Sequence, residues 1–410
     1  MIQKRRVVIT GGSVVSALGS EWPQILNALK AGKNCVRYMK EWERYTCMNT
    51  MLAVPIDFTM PDYPRKKIRG LGRVGQLALV SADKALANAG INPDNPELKN
   101  GRFGIAFGSS MGSIEPLIDF YSMLILDDVK KITATTYIKA MPQTCAANIG
   151  VFFGITGRII TTNTACTSSS QAIGFAYETI QNGIQDIMLA GGAEELSPVD
   201  AAVFDTLFAA STKNDAPEKT PAAYDKKRDG LVVGEGAGTL ILEEYEHAKK
   251  RGANIIAEIT GFATNADGMH ITQPNRGTMG VVMKLALENA GLDPSAIGYV
   301  NTHGTATDTG DVSESWATAD VFGRPVPVST LKSYVGHTLG ACGVIEAWLS
   351  INMMREKWFC PNLNLEELDP ACGPLDYITG TGRNIETEYI MSNNFAFGGI
   401  NTSLIFRNFQ

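Results

Sequence analysis

Lys84-Ala-Leu-Ala-Asn-Ala-Gly-Ile-Asn-Pro93 returns further along the chain as Leu285-Ala-Leu-Glu-Asn-Ala-Gly-Leu-Asp-Pro294. Each copy reads as the end of an Ala/Leu-rich amphipathic helix. It closes on a glycine that takes the left-handed cap without steric cost, and a proline follows. A short apolar strand comes next in both, Phe103–Gly108 and Ile297–Asn301. Arg158–Thr162 then leads through Cys166 into a helix reading Ser170–Ile180, as Val326–Leu331 leads through His337 into Gly343–Met354. Asp186–Gly192 pairs in the same way with Tyr389–Phe395. Echoes in the same order describe two duplicated βαβαβ halves, 1–252 and 253–410, of α/β class. Strands alternating with helices predict parallel sheets covered on their faces. In such sheets ligands gather beyond the carboxyl ends of strands. Cys166, His303, His337 and Phe397 all fall there. The long insertions Gly112–Gln143 and Ser197–Arg228 are expected to cap the site and build a dimer contact.

Composition narrows the function. Of 410 residues, 44% are hydrophobic and 19% charged, which supports a large core and excludes disorder and coiled coil. With 36 Lys+Arg against 42 Asp+Glu the net charge is −6, so nucleic acid is not an expected partner. Seven cysteines with no CxxC pair fit a reducing, cytoplasmic setting rather than a disulfide framework or a zinc site. The basic opening Met1–Arg6 runs into a short apolar stretch broken by Gly11-Gly12, unlike a signal peptide, and no run is long enough to span a membrane.

Thr164-Ala-Cys166-Thr-Ser-Ser-Ser170 puts a cysteine at a helix start, where the helix field favours thiolate. Cys35, Cys47, Cys342, Cys360 and Cys372 read as small buried hydrophobes, and Cys145 as a thiol near the site. Of the four histidines, His247 sits on a charged helix and reads as solvated, while His270 lies in a polar loop as a supporting group. His303 in Asn301-Thr-His-Gly-Thr-Ala-Thr307 and His337 in Lys332-Ser-Tyr-Val-Gly-His337 follow strands and form a constellation with Cys166. No metal is expected, because no ligand pair has metal spacing. The glycine-rich Gly234–Gly238 and Thr10–Ser13 lack dinucleotide spacing, so no cofactor is indicated. A Cys-His protease would leave Lys332 and the second histidine unexplained.

Thr164–Ser168, Arg228-Asp-Gly-Leu-Val-Val-Gly-Glu-Gly-Ala-Gly238, His303–Thr307, Lys332–Gly343 and Asn394-Phe-Ala-Phe-Gly-Gly-Ile-Asn401 together resemble the β-ketoacyl-[acyl carrier protein] synthases of the thiolase superfamily. The resemblance covers nearly the whole chain. It implies a five-layered α-β-α-β-α thiolase-like fold and decarboxylative Claisen condensation of an acyl group on Cys166 with a malonyl-carrier thioester. It also implies that His303 and His337 hold and decarboxylate the malonyl group, and that Lys332, paired with Glu314, keeps the site electropositive. The N–H groups of Cys166 and Phe397 would form the oxyanion hole, and Phe397 would gate the site. Thr305, Thr307, Phe395 and Gly398 would bind substrate, with phosphopantetheine brought by the carrier. Arg65, Lys66, Lys67, Arg69, Lys130 and Lys131 would dock that acidic carrier. Ala396, Ile400 and Asp308 depart from the family pattern; the alanine, which restricts the backbone where the family has glycine, implies a stiffer gate or a reshaped acyl pocket. Besides fatty-acid elongation, a polyene or type II polyketide ketosynthase is in view, as a homodimer or paired with a chain-length-factor-like subunit. A thiolase would carry a second cysteine where Phe397-Gly-Gly stands. A non-catalytic chain-length subunit would lack Cys166.

Overall fold

The computed structural model describes residues 4–409; Met1–Gln3 of the basic opening, and Gln410, lie outside them. Eleven strands of the described residues form one sheet. In chain order they are β1 (Val7–Val15), β2 (Phe103–Gly108), β3 (Ile159–Thr162), β4 (Ile187–Glu194), β5 (Gly236–Glu244), β6 (Ala257–Ala266), β7 (Ile297–Asn301), β8 (Pro327–Ser329), β9 (Asp376–Tyr377), β10 (Tyr389–Ala396) and β11 (Ile400–Asn408). The spatial order β3-β2-β4-β5-β1 in the first half recurs as β8-β7-β10-β11-β6 in the second, so the repeat read in the sequence is a repeat of topology. The two sets join where Val7, Val8 and Ile9 of β1 pair with Ile259, Glu258 and Ala257 of β6.

The sheets are mixed, not parallel as the alternation of strands and helices predicted. β2 runs parallel to β3 and β4, and β7 to β8 and β10. β5 and β11 are antiparallel to their neighbours. β10 and β11 are joined only by Phe397-Gly-Gly399, and a connection that short can make only a hairpin.

Three apolar cores separate the layers. The outer N-terminal core packs helix α1 (Arg73–Asn88) against Phe103, Ile105 and Phe107 of β2. The outer C-terminal core packs the helix that carries the second echo, Arg276–Ala290, against Ile297, Val300 and Ile405. Between the two sheet halves lie the helices that follow Cys166 and His337, Ser168–Gln181 and Cys342–Arg355. Their Ile173, Ile180, Val344 and Ile351 share one core with Ile9, Leu240 and Phe406. The result is the five-layered α-β-α-β-α arrangement. Alternation along β2 sends Ala106 to the inner core and its neighbours outward. Gly11-Gly12 serves close packing: a Cβ on Gly11 would lie 2.6 Å from Ala85 O on one face of β1, and one on Gly12 2.5 Å from the Trp348 ring on the other.

The first insertion contributes α2 (Glu115–Leu126) and α3 (Ala134–Ala140), then α4 (Thr144–Phe153) before β3. α5 (Ser168–Gln181) follows Cys166, and the second insertion opens with α6 (Pro198–Thr206). α7 (Arg276–Ala290), α8 (Asp308–Phe322) and α9 (Cys342–Arg355) complete the second half. Both echoed glycines take the left-handed cap, Gly90 at φ 68° and Gly291 at φ 66°. Among the described residues no helix is long and apolar enough to cross a membrane.

Candidate active site

Four segments converge at the strand ends. Cys166 lies in the 3-10 turn Ala165–Thr167 that opens α5; His303 follows β7; Lys332 and His337 lie between β8 and α9; Phe397 sits in the β10–β11 turn. Cys166, His303, His337, Thr305, Thr307, Glu314, Phe395 and Phe397 line one cavity of about 220 Å³. His337 Nε2 is 3.0 Å from Cys166 Sγ. The two imidazoles stand edge to face, with centroids 5.1 Å apart.

Hydrogen bonds fix the tautomers. Leu339 N–H donates to His337 Nδ1 at 3.2 Å, so the proton of the neutral ring is on Nε2 and points at the sulfur. Asn394 Nδ2 approaches His303 Nδ1 at 3.4 Å, which orients that ring in the same sense. Burial, with the Lys332 charge, holds both imidazoles well below the usual histidine range, so both stay neutral donors. A nitrogen of each ring and Cys166 Sγ lie within 4.8 Å of one another, closer than their sequence spacing suggested. A metal-bound histidine, however, donates its second nitrogen's hydrogen outward, whereas His337 Nδ1 accepts. The arrangement suits donation to a developing oxyanion.

The thiol departs from expectation. Burial pushes Cys166 up to about 12, against the opposing pull of Lys332 and of the Phe397 and Cys166 N–H groups at the sulfur. The helix field predicted the reverse, but the cysteine is only 5% exposed and desolvation of the anion prevails. Iodoacetamide alkylation of Cys166 in the free protein is therefore expected to keep accelerating beyond about pH 9, where an ordinary thiol of pKa near 8.5 has levelled off. A plateau below that pH would contradict the shift. The fold favours the protonated thiol, so this stabilisation is present below the unfolded thiol pKa and is lost as pH climbs towards about 12.

Lys332 lies beneath the cavity, and its partner is Glu346 rather than Glu314: Nζ donates to Glu346 Oε1 at 2.5 Å, with both side chains at most 2% exposed. Burial, the largest single influence, would lower the Lys332 pKa, but Glu346, Cys342 and Glu314 together outweigh it and the ammonium is raised. Asn394 Nδ2 donates to the other Glu346 oxygen at 2.7 Å. Glu314 instead accepts the N–H groups of His303 and Gly304 at 2.6 and 2.7 Å, and Asp311 accepts that of Ala306 at 3.0 Å. Two carboxylates one turn apart on α8 thus grip the loop that carries His303, whose Ala306 sits at φ 62°. Burial raises them to about 8 and about 6 respectively.

Other expectations are corrected. His270 is exposed, its Nδ1 accepting N–H groups of Thr272 and Gln273, and it is Ile271–Pro274 that line the cavity. Gly399, not Gly398, faces the cavity; Gly398 N–H donates to Ile271 O at 2.7 Å. Cys47 is exposed, and Cys145 packs in the outer core away from the cavity. Cys342 is buried beside the site, its thiol donating to Cys166 O at 3.1 Å. His247 is not simply solvated, because Glu243 and Glu97 bracket it at 2.5 and 3.0 Å. Ala396 and Ile400 pair at the base of the gate hairpin, and Asp308 starts α8. Arg65, Lys66, Lys67, Arg69, Lys130 and Lys131 are exposed, and Lys67 also donates to Phe152 O.

Sequence reasoning missed Phe204 of α6, which stands 5.2 Å from Phe397 and 6.5 Å from His337, centroid to centroid. It also missed Glu346. A single carboxylate inside the apolar run Cys342–Met354 was the available signal, since a buried charge needs a partner.

A buried cysteine under a fixed imidazole donor and two amides, with a second neutral imidazole across the cavity, defines a thiol acyltransferase site of the condensing-enzyme kind. Residues 4–248 match the family model "Beta-ketoacyl synthase, N-terminal domain" and residues 256–366 the corresponding C-terminal domain. The chain belongs to the β-ketoacyl synthase family. It is 37% identical to 3-oxoacyl-[acyl-carrier-protein] synthase 1 of Haemophilus influenzae, over 99% of this chain and 100% of the relative. The crystal structure of a β-ketoacyl synthase from Burkholderia phymatum STM815 superposes with a TM-score of 0.98 at 57% identity, covering 99% and 100% of the two chains. A type II polyketide ketosynthase, solved with its acyl-carrier protein and a bound hexaketide, matches at a TM-score of 0.88 and 29% identity over 100% of both chains.

Proposed function

We propose that this chain is an elongating β-ketoacyl-[acyl carrier protein] synthase, an acyltransferase that condenses an acyl group on Cys166 with malonyl-[acyl carrier protein] to 3-oxoacyl-carrier and CO2. The observation that carries the reading is the Nε2–H of His337 held 3.0 Å from Cys166 Sγ with the Phe397 and Cys166 amides around the sulfur. In the first half-reaction the sulfur attacks the acyl-carrier thioester. The tetrahedral oxyanion is held by those amides, a contribution of about 3 to 4 kcal/mol per donor. The carrier thiol leaves with the cysteine's proton. In the second, the malonyl thioester carbonyl accepts hydrogen bonds from His303 and His337. The carboxylate departs as CO2, and its electron pair becomes the enolate that the two neutral donors stabilise. The enolate carbon attacks the acyl group, and the Cys166 sulfur is expelled as thiolate, which takes up a proton from solvent to restore the resting thiol.

Thr305 and Thr307, whose hydroxyls are 2.9 Å apart in the cavity wall, would hold the phosphopantetheine arm that the carrier brings; no other cofactor enters the scheme. Phe395 packs beside His303, and the Phe397–Gly398 turn, pinned by Ala396 and Ile400, would gate the pocket. Supplying an acyl-carrier substrate without malonyl extender is expected to leave the acyl mass on the Cys166 peptide, and adding malonyl-carrier to discharge it as the two-carbon-longer product. An unmodified Cys166 during turnover would overturn the reading. Fatty-acid elongation is favoured by the 37% identity, over the full length, to 3-oxoacyl-[acyl-carrier-protein] synthase 1 of Haemophilus influenzae, and the polyketide likeness is weaker at 29% identity.

The exposed Arg65, Lys66, Lys67, Arg69, Lys130 and Lys131 would receive the acidic carrier. Lys66→Glu with Arg69→Glu is expected to raise KM for carrier substrates roughly tenfold at low salt and leave kcat unchanged. An unaltered KM would remove this surface from docking. A second copy is the inferred oligomeric partner: β3 is an open sheet edge, and Ile118, Leu124, Ile125 and Leu126 of α2 are 59–76% exposed.

A further inference from the structure

We propose that Cys342 is a resolving thiol for Cys166: a hydroperoxide that oxidises the nucleophile is answered by an internal Cys166–Cys342 disulfide, so the damage is reversible. The proposal rests on reading Cys166 as the nucleophile. Condensation as described leaves Cys342 without a part, yet this thiol is only 1% exposed and sits directly behind the reacting cysteine.

The fold brings the two together through its duplication. Cys166 occupies the turn that opens α5, and Cys342 is the first residue of α9, the equivalent inner-layer helix of the other half. Cα atoms of these two segments come within 8 Å of one another. Cys342 Sγ lies 3.1 Å from the carbonyl oxygen of Cys166 and 3.6 Å from Asn394 Nδ2. Each sulfur is also within 4.8 Å of a ring nitrogen of His303. Bridging needs Cα atoms about 4.4–6.8 Å apart and a suitable χ1. Turning Cys342 towards Cys166 gives up one weak S–H···O contact and the approach of Asn394.

The chemistry balances in two steps. The Cys166 sulfur attacks the peroxide, the O–O bond breaks, and sulfenic acid and an alcohol (water, from hydrogen peroxide) result. The amides of Phe397 and Cys166 that face the sulfur can also hold the sulfenic oxygen. Cys342 sulfur then attacks the sulfenic sulfur, an S–S bond replaces the S–O bond, and the hydroxyl leaves with the Cys342 proton as water. The peroxide is reduced by two electrons and the two thiols are oxidised. Without a resolving thiol, further peroxide carries sulfenic acid on to sulfinic acid, which a dithiol does not restore.

The test treats the intact protein with excess hydrogen peroxide, blocks free thiols and maps peptides without reduction. The expected result is a Cys166–Cys342 linked peptide, lighter than the two thiol peptides by two hydrogen atoms, that appears as condensing activity falls. Dithiothreitol removes the link and restores activity together. Cys342→Ala is expected to condense at the wild-type rate yet lose this recovery, with sulfinic acid accumulating at Cys166. Cys342→Ser serves the same purpose should the alanine variant fold poorly. Cys47, the exposed cysteine, is the internal competitor that would react first if access and the protonation of the buried Cys166 decided, and only the site amides that can hold the sulfenic oxygen favour Cys166. Sulfinic acid at Cys166 in the wild type with no linked peptide, a dominant Cys47 linkage, or full recovery of the variant would each overturn the proposal. Peptide mapping needs no substrate, so a failure of the assigned reaction and a failure of the thiol pair remain distinguishable.

Discussion

Cys166→Ala is expected to reduce condensation by at least ~1,000-fold while leaving the fold intact, because it deletes the one atom that must bear the acyl group. The cost in stability should be modest, about 1–2 kcal/mol: one buried sulfur is lost, and the Nε2–H of His337 loses the acceptor that lay 3.0 Å away. The amides of Phe397 and Cys166 and both histidines remain in place, so the variant should still bind carrier substrates. Malonyl decarboxylation uncoupled from condensation is the informative second readout: His303 and His337 would still stabilise an enolate, which then picks up a proton instead of an acyl group. The paired measurement is condensation and CO2 release with acyl- and malonyl-carrier substrates, beside a melting curve. Full condensation by the variant would refute the assignment of the nucleophile.

Lys332→Ala should destabilise the protein by about 3–5 kcal/mol, since it strands Glu346 as an unpaired carboxylate in a buried site. Lys332→Met with Glu346→Gln should recover most of that loss, because a glutamine still accepts from Asn394 and no charge is left buried. Catalysis should not recover in step. Burial and, after it, the ammonium hold both histidines neutral; without the ammonium their pKa values rise part of the way towards the ordinary range, so the acid limb of the pH–rate profile moves to higher pH. Chemical denaturation and a pH profile of the double variant separate the two roles. Unchanged stability of the single variant, or an unmoved acid limb, would contradict them.

The sequence was most informative where local chemistry decides structure. Gly90 and Gly291 marked real helix ends, and the strands that followed them proved equivalent in the sheet. Cys166, His303 and His337 could be named because each sits just past a strand, and strand ends of the two halves meet. Strand direction was not legible. β11 is antiparallel because the three-residue turn Phe397-Gly-Gly399 joins it to β10, and β5 runs the same way at the equivalent place in the first half although a long insertion precedes it. The partner of Lys332 was misassigned because Glu314 and Glu346 are both plausible by type, and only the packing of α9 puts Glu346 within 2.5 Å. The thiol's pKa was misjudged because a helix start is visible in sequence and the depth of burial is not.

The inner layer has a consequence for how the molecule comes apart. α5 and α9 bury against each other and against both sheet halves, so neither half possesses a complete core of its own. Parting the halves would expose that layer all at once, and nucleophile and imidazoles would lose their alignment in the same event. Unfolding should thus be a single cooperative transition in which activity and structure vanish together, and a truncated half should survive neither as a folded body nor as a slow enzyme.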